Sequence, residues 1–438
     1  MQADMSQIQA VDVIVVGAGM VGLTAGLALH NEGFKTLVID GRDDDFLDLA
    51  QTIQPQLEST DNVDNYDNRV SALTKASENI FRNLAVWPKM TAMRTSAYRH
   101  MHVWDGEGTG VVDFSSDELH QPCLGHIVEN SVALAALINT AKEQGLTIMT
   151  GTKVVGLSSP SDSAKQGFRE LICERKQAAQ ATVSLTLQAK LVVGADGAMS
   201  KVRQLSNIPL WQYDYGHNAI VATVKTTNTH ANTAWQCFTS DGPLAFLPLS
   251  DANTCSIVWS TSVLHAQELM QLDETAFLKA LSRAFEHRLG DVLAISERAM
   301  FPLRQRHAKH YIQSGLALIG DASHTIHPLA GQGVNLGLLD VAALVQVLCH
   351  ARKRKQHLGS QALLLRFQRM RQTDNLAMSA SMQAFKWLFE PQNSAVTIAR
   401  NVGMHLFNKV TPIKQHIVTQ AMGLSGDLPK LASEQANK

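Results

Sequence analysis

The chain has 438 residues, 45% hydrophobic and 18% charged, with a formal net charge of −1. This is ordinary globular composition, long enough for two or three cores, and the balanced charge gives no sign of a nucleic-acid or polyanion partner. Five widely spaced cysteines without a CxxC pair argue against a disulfide framework or a structural zinc site.

Residues 1–11 lack the basic start and apolar core of a secretory leader. Val11 to Val16 reads as a buried parallel strand, Met20 to Glu32 as a helix closed by Gly33, and Lys35 to Ile39 as a second strand, together a βαβ unit. Asp43 to Asn68 is polar and acidic and predicts a long surface loop. Asn130 to Gly145 predicts an amphipathic helix, and Thr147 to Thr150 a short strand. Residues 158–169 read as a hairpin tip, followed by separate strands at Val183 to Leu187 and Leu191 to Gly194. The runs Ala219 to Val224, Ala245 to Leu249 and Cys255 to Trp259 predict an antiparallel sheet. Leu316 to Ile319 predicts a strand before a glycine-rich turn and a long helix. The best apolar stretch, Val334 to Cys349, is interrupted by Asn335 and Asp340, which argues against a membrane span. From about residue 351 the chain reads as helical and basic, with 13 Lys and Arg against 4 Asp and Glu.

Three glycine-rich turns carry the chemistry. Gly17-Ala-Gly19-Met-Val-Gly22 follows a strand and opens a helix, where a pyrophosphate can meet free backbone N–H groups. Gly17 permits the turn, Gly19 admits the phosphates, and Gly22 allows close packing of helix on strand. Asp40, ending the next strand, suits both hydroxyls of an adenosine ribose and repels a 2′-phosphate. The second motif, Leu191 to Arg203, places Asp196 and Gly197 after a strand; alone it is also compatible with a plain helix capped by Ser200. In the third, Gly320-Asp321 leaves a strand where the carboxylate can hold polyol hydroxyls. Gly331-Gln332-Gly333 then aims N–H donors and a helix dipole at the negative edge of a reduced flavin.

These motifs, in this order, resemble the group A flavoprotein aromatic hydroxylases. The string His327-Pro-Leu-Ala-Gly-Gln-Gly-Val-Asn-Leu-Gly337 is similar to the signature of the branch that hydroxylates polyprenylated rings in ubiquinone biosynthesis. Asp67-Asn-Arg69, Leu124 to Ser131, Phe246 to Asp251 and Cys255 to Ser260 agree with it, so the resemblance runs from about residue 10 to about 428. It implies a Rossmann-like α/β FAD-binding domain (1–80, 125–205, 305–350) with an interleaved antiparallel-sheet substrate domain (81–124, 206–304) and a basic helical C-terminal region (351–438), an architecture like that of para-hydroxybenzoate hydroxylase. It assigns Gly17, Gly19, Gly22, Asp40, Arg69, Asp196, Gly197, Asp321, Gly331, Gly333, Val334 and Asn335 to FAD. Pro328, Gly331, Gln332 and Gly333 would line the flavin edge. NAD(P)H is the implied co-substrate; with only one dinucleotide fingerprint present, it must bind without a Rossmann domain of its own.

The implied reaction is hydroxylation of a polyprenylated phenol by O2 through a flavin C4a-hydroperoxide. Within the branch the likeness is divided between the enzyme that adds the first ring hydroxyl to polyprenylphenol and the one acting on a later methoxy-benzoquinol, so ring position stays open. A same-fold prenyl reductase or dehydrogenase, or a non-catalytic flavin-bound subunit of a quinone-biosynthesis complex, are the competing readings. No general base is assigned; His126, His217, His324 and His327 are candidates by position. His324 and His327, lacking a carboxylate or cysteine at ligand spacing, imply no metal. Trp211, Tyr213, Tyr215, Trp235 and Phe246 are candidates for lining or backing the substrate pocket, with core packing the alternative. The basic tail, including Arg400, Lys409 and Lys414, suits either a solvated helical cap or docking on an anionic membrane surface or other ubiquinone-biosynthesis proteins. The expected setting is cytoplasmic, with a peripheral place at the inner face of the membrane and homo-oligomerisation both left open.

Overall fold

The structure, a computed structural model, describes residues 10–176, 182–325, 333–389, 394–409 and most of 414–434. It opens with β1 (Val11–Val16), α1 (Met20–Asn31) and β2 (Thr36–Ile39), the βαβ unit the sequence predicts. β2 is buried throughout, which accounts for its continuous apolar run. A Cβ on Gly26 would stand 2.6 Å from Val38 Cγ2, so it is this glycine that lets α1 lie close on the sheet.

The segment expected to be a loop, 43–68, contains α2 (Leu49–Leu57). Ile53 is buried and Leu49 and Leu57 pack on the same core, so an apolar period of four prevails over a polar remainder. Pro55 lies inside this helix and cannot donate to the carbonyl of Gln51, so the apolar contacts hold the helix in spite of one missing backbone bond.

There follow β3 (Val70–Leu73), α3 (Lys75–Asn83), α4 (Trp87–Met93), β4 (Ser96–Tyr98), β5 (His100–Asp105), β6 (Val111–Ser115) and β7 (Gly125–Glu129). Strands β3, β7 and β4 make a small antiparallel sheet. Next come α5 (Asn130–Glu143), β8 (Thr147–Met149), β9 (Thr152–Leu157), α6 (Pro160–Gln166), β10 (Arg169–Lys176) and β11 (Thr182–Gly194). The expected hairpin tip thus holds a short helix opened by proline. The two strands expected at 183–194 are one: the first half of β11 pairs antiparallel with β10, and the second half runs parallel to β1.

After α7 (Lys201–Leu205) the chain builds β12 (Leu210–Thr226), β13 (Thr233–Thr239), β14 (Gly242–Pro248), β15 (Thr254–Ser262), α8 (Val263–Gln271), α9 (Glu274–Ala284), β16 (Val292–Ile295) and β17 (Ala299–Ala308). It ends with β18 (Ile312–Gln313), β19 (Leu316–Leu318), β20 (His324–Thr325), α10 (Gly333–Lys353), α11 (Gln361–Phe389) and α12 (Ser394–Lys409). The first large sheet has the order β18-β19-β11-β1-β2-β8, and the second β20-β17-β12-β15-β14-β13-β5-β6. Strand β20 therefore carries the stretch just after Asp321 into the second sheet. One face of that sheet packs on α8 and α9 through Phe246, Trp259, Phe277 and Phe285. Its other face meets the small sheet and, through Phe238 and Phe389, α11. Helix α10 is long and apolar enough to cross a membrane, yet its apolar window is 72% buried inside the protein.

The C-terminal helices correct one expectation. Arg371, Arg400 and Lys414 are buried and ion-paired with Asp340 (2.8 Å), Asp105 (2.7 Å) and Glu118 (2.8 Å). Arg400 and Lys414 are thus not available to an anionic surface; they neutralise acids of the body. The side chain of Lys409 lies outside the described residues. What α12 presents to solvent is apolar: Ile398, Val402 and Leu406, at a period of four, are each more than half exposed.

Candidate FAD site

The three glycine turns meet at the carboxyl ends of adjacent parallel strands, since β1 pairs with β11 and β11 with β19. This is where an open α/β sheet holds its ligand. Gly17 has φ +103°, and a Cβ there would stand 2.5 Å from the Ala195 carbonyl oxygen, next to Asp196. Among the described residues nothing lies within 4 Å of a Cβ built on Gly19, which leaves room for phosphates before the α1 N-terminus. A Cβ on Gly22 would strike the Gly17 carbonyl oxygen. Gly22 therefore closes the turn upon itself, while Gly26 serves the helix–sheet packing.

Asp40 lies at the end of β2, but its oxygens are already engaged. Oδ2 accepts from Ala18 N (2.7 Å) and Arg42 Nη2 (2.9 Å), and Oδ1 from Arg42 N (2.9 Å) and Nε (2.8 Å). Burial would raise this carboxyl, and the bonds from Arg42 and Ala18 more than offset it, leaving it below its ordinary value. A carboxylate has about four acceptor positions. Ribose hydroxyls must therefore displace Arg42, whose side chain is 43% exposed.

Asp196 Oδ2 accepts from the backbone of Lys201 (2.7 Å) and Val202 (3.1 Å), capping α7, and Ser200 Oγ accepts from Arg203 N (3.0 Å). The capping reading of this motif is thus true. Yet among the described residues Asp196 Oδ1 is buried without a partner beside the Gly17 turn, and Gly197, at φ +81°, has open space before it. Both features fit a bound dinucleotide. Arg69 is exposed, its guanidinium 5.6 Å from the Phe301 ring. Solvent reaches Asp321 although protein closes around it. That desolvation pushes its carboxyl above the ordinary range against the pull of His324, Arg69 and Arg306.

Gly333 begins α10 with no described residue within 4 Å of a Cβ, and Val334 packs on the main core. Pro328, Gly331, Gln332 and His327 lie outside the described residues. The Asn335 side chain is committed to the fold: Oδ1 accepts from Ser77 Oγ (2.7 Å) and Thr74 N (3.1 Å), and Nδ2 donates to Ala72 O (2.8 Å). Its oxygen and one of its two N–H donors are thus used within the fold.

Beneath Gly320-Asp321 lies a buried polar network the motifs did not identify. Asp340 accepts from Gly320 N (3.0 Å), His324 Nε2 (2.6 Å), Arg371 Nε (2.8 Å) and Asn375 Nδ2 (3.2 Å). Burial opposes its charge, but His324 and Arg371 hold the carboxyl at about 2. The sequence did carry a signal, since Asp340 interrupts an otherwise apolar helix and must have partners there.

Of the other histidine candidates, His217 lies on β12 and His126 on β7. His126 Nδ1 stands 3.4 Å from Glu78 Oε2 and 3.9 Å from Cys123 Sγ. These three residues could converge on a metal ion, but Lys75 (3.0 Å) and Arg82 (2.6 Å) already sit on Glu78 Oε1. Two cations beside the carboxylate oppose a third, and the cluster acts as an ion-pair network. Trp235 and Phe246 belong to the α8–α9 side of the second sheet, where Phe246 stacks on Phe285 at 3.7 Å. Those two are core. Trp211, Tyr213 and Tyr215 stand on β12 in mutual contact.

The FAD binding domain family matches residues 10–374. The chain belongs to this family. Within it, the flavoprotein stands among the ubiquinone-biosynthesis hydroxylases. It is 35% identical over 417 residues to the 3-demethoxyubiquinol 3-hydroxylase of Escherichia coli (strain K12), covering 95% of this chain and 99% of that one. It is 33% identical to the mitochondrial ubiquinone biosynthesis monooxygenase COQ6 of Xenopus tropicalis, over 94% of this chain and 93% of that one. Among solved structures, p-nitrophenol 4-monooxygenase PnpA from Pseudomonas putida DLL-E4 superposes with a TM-score of 0.74 at 16% identity, covering 95% and 99% of the two chains. The flavin-dependent halogenase CmlS also matches, with a TM-score of 0.69 at 15% identity over 97% of this flavoprotein and 74% of that chain. The fold therefore hosts more than one reaction and does not by itself select one.

Proposed function

We infer that this flavoprotein hydroxylates the ring of a polyprenylated phenol or quinol in ubiquinone biosynthesis, using NAD(P)H and O2. The observation that carries the reading is the near full-length kinship with the ubiquinone-pathway hydroxylases, joined to an FAD cradle assembled from three separate motifs. Bound FAD supplies a ring system that takes a hydride and then activates O2. The protein's own residues do the rest. Gly17, Gly19 and Gly22 would shape the pyrophosphate seat, Asp40, Arg69, Asp196 and Asp321 would contact the rest of the FAD, and the α10 N-terminus at Gly333 would offer donors to the flavin edge. On the second sheet Ala219 and Leu303 are buried with Val258 packed on them, an apolar surface that would exclude water from a ring bound against it.

The exposed apolar stripe of α12, with Trp387 (61% exposed) near the end of α11, supports docking of the C-terminal region on a lipid surface that stores such a substrate. This is consistent with a cytoplasmic protein held at the membrane periphery.

The test uses the FAD-loaded protein, NADPH, 18O-labelled O2 and a short-chain prenylphenol. Label in the ring, with one NADPH consumed per hydroxyl, is the expected result, and its position fixes the regiochemistry. A hydrogenated prenyl chain without label would make the protein a reductase, and absence of turnover with pathway proteins added would make it a flavin-bound scaffold.

A further inference from the structure

Trp211, Tyr213 and Tyr215 alternate along β12 and form an aromatic ladder. The rings of Trp211 and Tyr213 are stacked 6.2 Å apart with their planes within 7°, and Tyr215 meets Tyr213 edge-on at 5.2 Å. Exposure falls along it, from 50% at Trp211 to 37% at Tyr213 and 4% at Tyr215. At about 3.3 Å per residue the ladder spans about 13 Å.

The strand beside it supplies an uncharged wall. Trp211 is paired with His307 and Tyr213 with Gln305, and Tyr215 Oη donates to Gln305 Oε1 (2.7 Å). Tyr215, Ala219 and Leu303 form a small buried cluster. Burial pushes the Tyr215 phenol up to about 12 and the His307 imidazole below its usual value, which keeps both neutral near pH 7. The charges of this ribbon go to the other face, where Asp214 pairs with Arg304 (3.0 Å) and Arg306 Nε donates to Gln212 (3.3 Å).

The position is as telling as the chemistry. His307 pairs with His324, three residues from Asp321, and further along β17 Phe301 lies under Arg69. The ladder thus runs alongside the FAD cleft. A stripe of half-exposed aromatic rings in water is costly unless something apolar covers it.

We propose that this ladder is the track for the isoprenoid chain of the substrate, with the ring held at the Tyr215 end and the chain leaving over Tyr213 and Trp211. The assignment rests on the functional reading above. Aromatic faces suit a branched hydrocarbon because they offer a large apolar area at little conformational entropy, and a wall of neutral, hydrogen-bonded groups costs far less to desolvate than a charged one.

Two measurements test it. Oxidised, FAD-loaded protein is titrated with farnesol while tryptophan emission is followed, in wild type and in Trp211→Phe. The emission change is expected in wild type and is expected to shrink in Trp211→Phe, as Trp211 is removed. Separately, KM is measured for a prenylated phenol and for the same phenol without its chain. Trp211→Ser/Tyr213→Ser should raise KM for the prenylated substrate roughly tenfold more than KM for the bare phenol, and Trp211→Phe/Tyr213→Phe should restore the ratio. An unchanged KM ratio, or an emission change produced by NADPH but not by farnesol, overturns the proposal. If wild type hydroxylates neither phenol the functional reading fails, and the farnesol titration still decides whether the track binds an isoprenoid.

Discussion

His324 Nε2 stands 2.6 Å from Asp340 Oδ2, with both side chains buried. The same carboxylate accepts from Gly320 N, so one side chain of α10 holds the turn that presents Asp321. Asp340→Asn leaves Arg371 buried beside a neutral amide. Removal of one partner of such a pair typically costs ~3–5 kcal/mol. The expected outcome is a lower denaturation midpoint together with loss of FAD on gel filtration, whereas a purely local packing role would leave FAD retention intact.

The Glu78–His126 pair gives stability a defined pH window. Burial alone would lower His126, but Cys123 and Glu78 beside it raise it from 6.5 to about 9. Its folded value is therefore above the unfolded one, so its contribution is full below pH 6.5 and lost as pH rises through 9. Glu78 falls from 4.5 to about 2 despite burial, through His126, Arg82 and Lys75; its contribution holds above pH 4.5 and is lost as pH falls through 2. On the order of 3 kcal/mol is at stake on the alkaline side. Thermal melts between pH 6 and 9.5 should slope downward for wild type and be flatter for His126→Gln.

Two neighbouring glycines should fail differently. Gly19 has φ −72° and open space before it, so Gly19→Ala costs the fold little but intrudes on the phosphate seat. Gly22→Ala drives a methyl into the Gly17 carbonyl. FAD titration of apoprotein should show affinity reduced by roughly tenfold or more for Gly19→Ala, at about one lost phosphate hydrogen bond, with an unchanged melting temperature. For Gly22→Ala the melting temperature should drop as well.

The four donors on Asp40 create a competition between Arg42 and ribose. Asp40→Ala should weaken FAD binding by about 1.5–3 kcal/mol, the worth of hydrogen bonds to a charged group. Arg42→Ala frees the carboxylate and should weaken it far less or tighten it. Equal losses in the two variants would show that Asp40 works by positioning Arg42.

The C-terminal region needs a gentle perturbation, since truncation would strand Asp105 and Glu118 without Arg400 and Lys414. Ile398→Ser/Val402→Ser/Leu406→Ser changes only exposed groups. Cosedimentation with anionic liposomes should fall several-fold in the triple variant with FAD content unchanged, and equal cosedimentation would remove the lipid-docking reading.

Much of this fold was legible because its elements repeat strong local patterns. The strand–glycine–helix at 11–31 and the apolar runs of β14 and β15 announce themselves. The parts that were not legible depend on distant partners. α2 is a helix because Leu49, Ile53 and Leu57 find the main core, which overrides a polar composition. β11 is continuous because β10 pairs with its outer half and β1 with its inner half. At the site, glycine spacing revealed the cradle, but nothing local in sequence says that Arg42 occupies Asp40 or that the Asn335 side chain is spent on α3 and β3. The basic tail misled for the same reason, because charge counted along a sequence does not say which way a side chain points.

That tail has a consequence for how the protein is made. Asp105 and Glu118 leave the ribosome almost three hundred residues before Arg400 and Lys414, and Asn79 and Asn83 wait still longer for the carbonyls of Ala432 and Leu431. During synthesis the flavin cradle and both large sheets are complete while these acids and amides lack their partners. A chain that stops short of residue 400 leaves Asp105 without Arg400 and Asn401, the side chains that pair with its carboxylate in the folded protein. The last segment thus acts as a seal, and a prematurely ended polypeptide should be recognisable to cellular proteases by its instability even though its cofactor-binding sequence is whole.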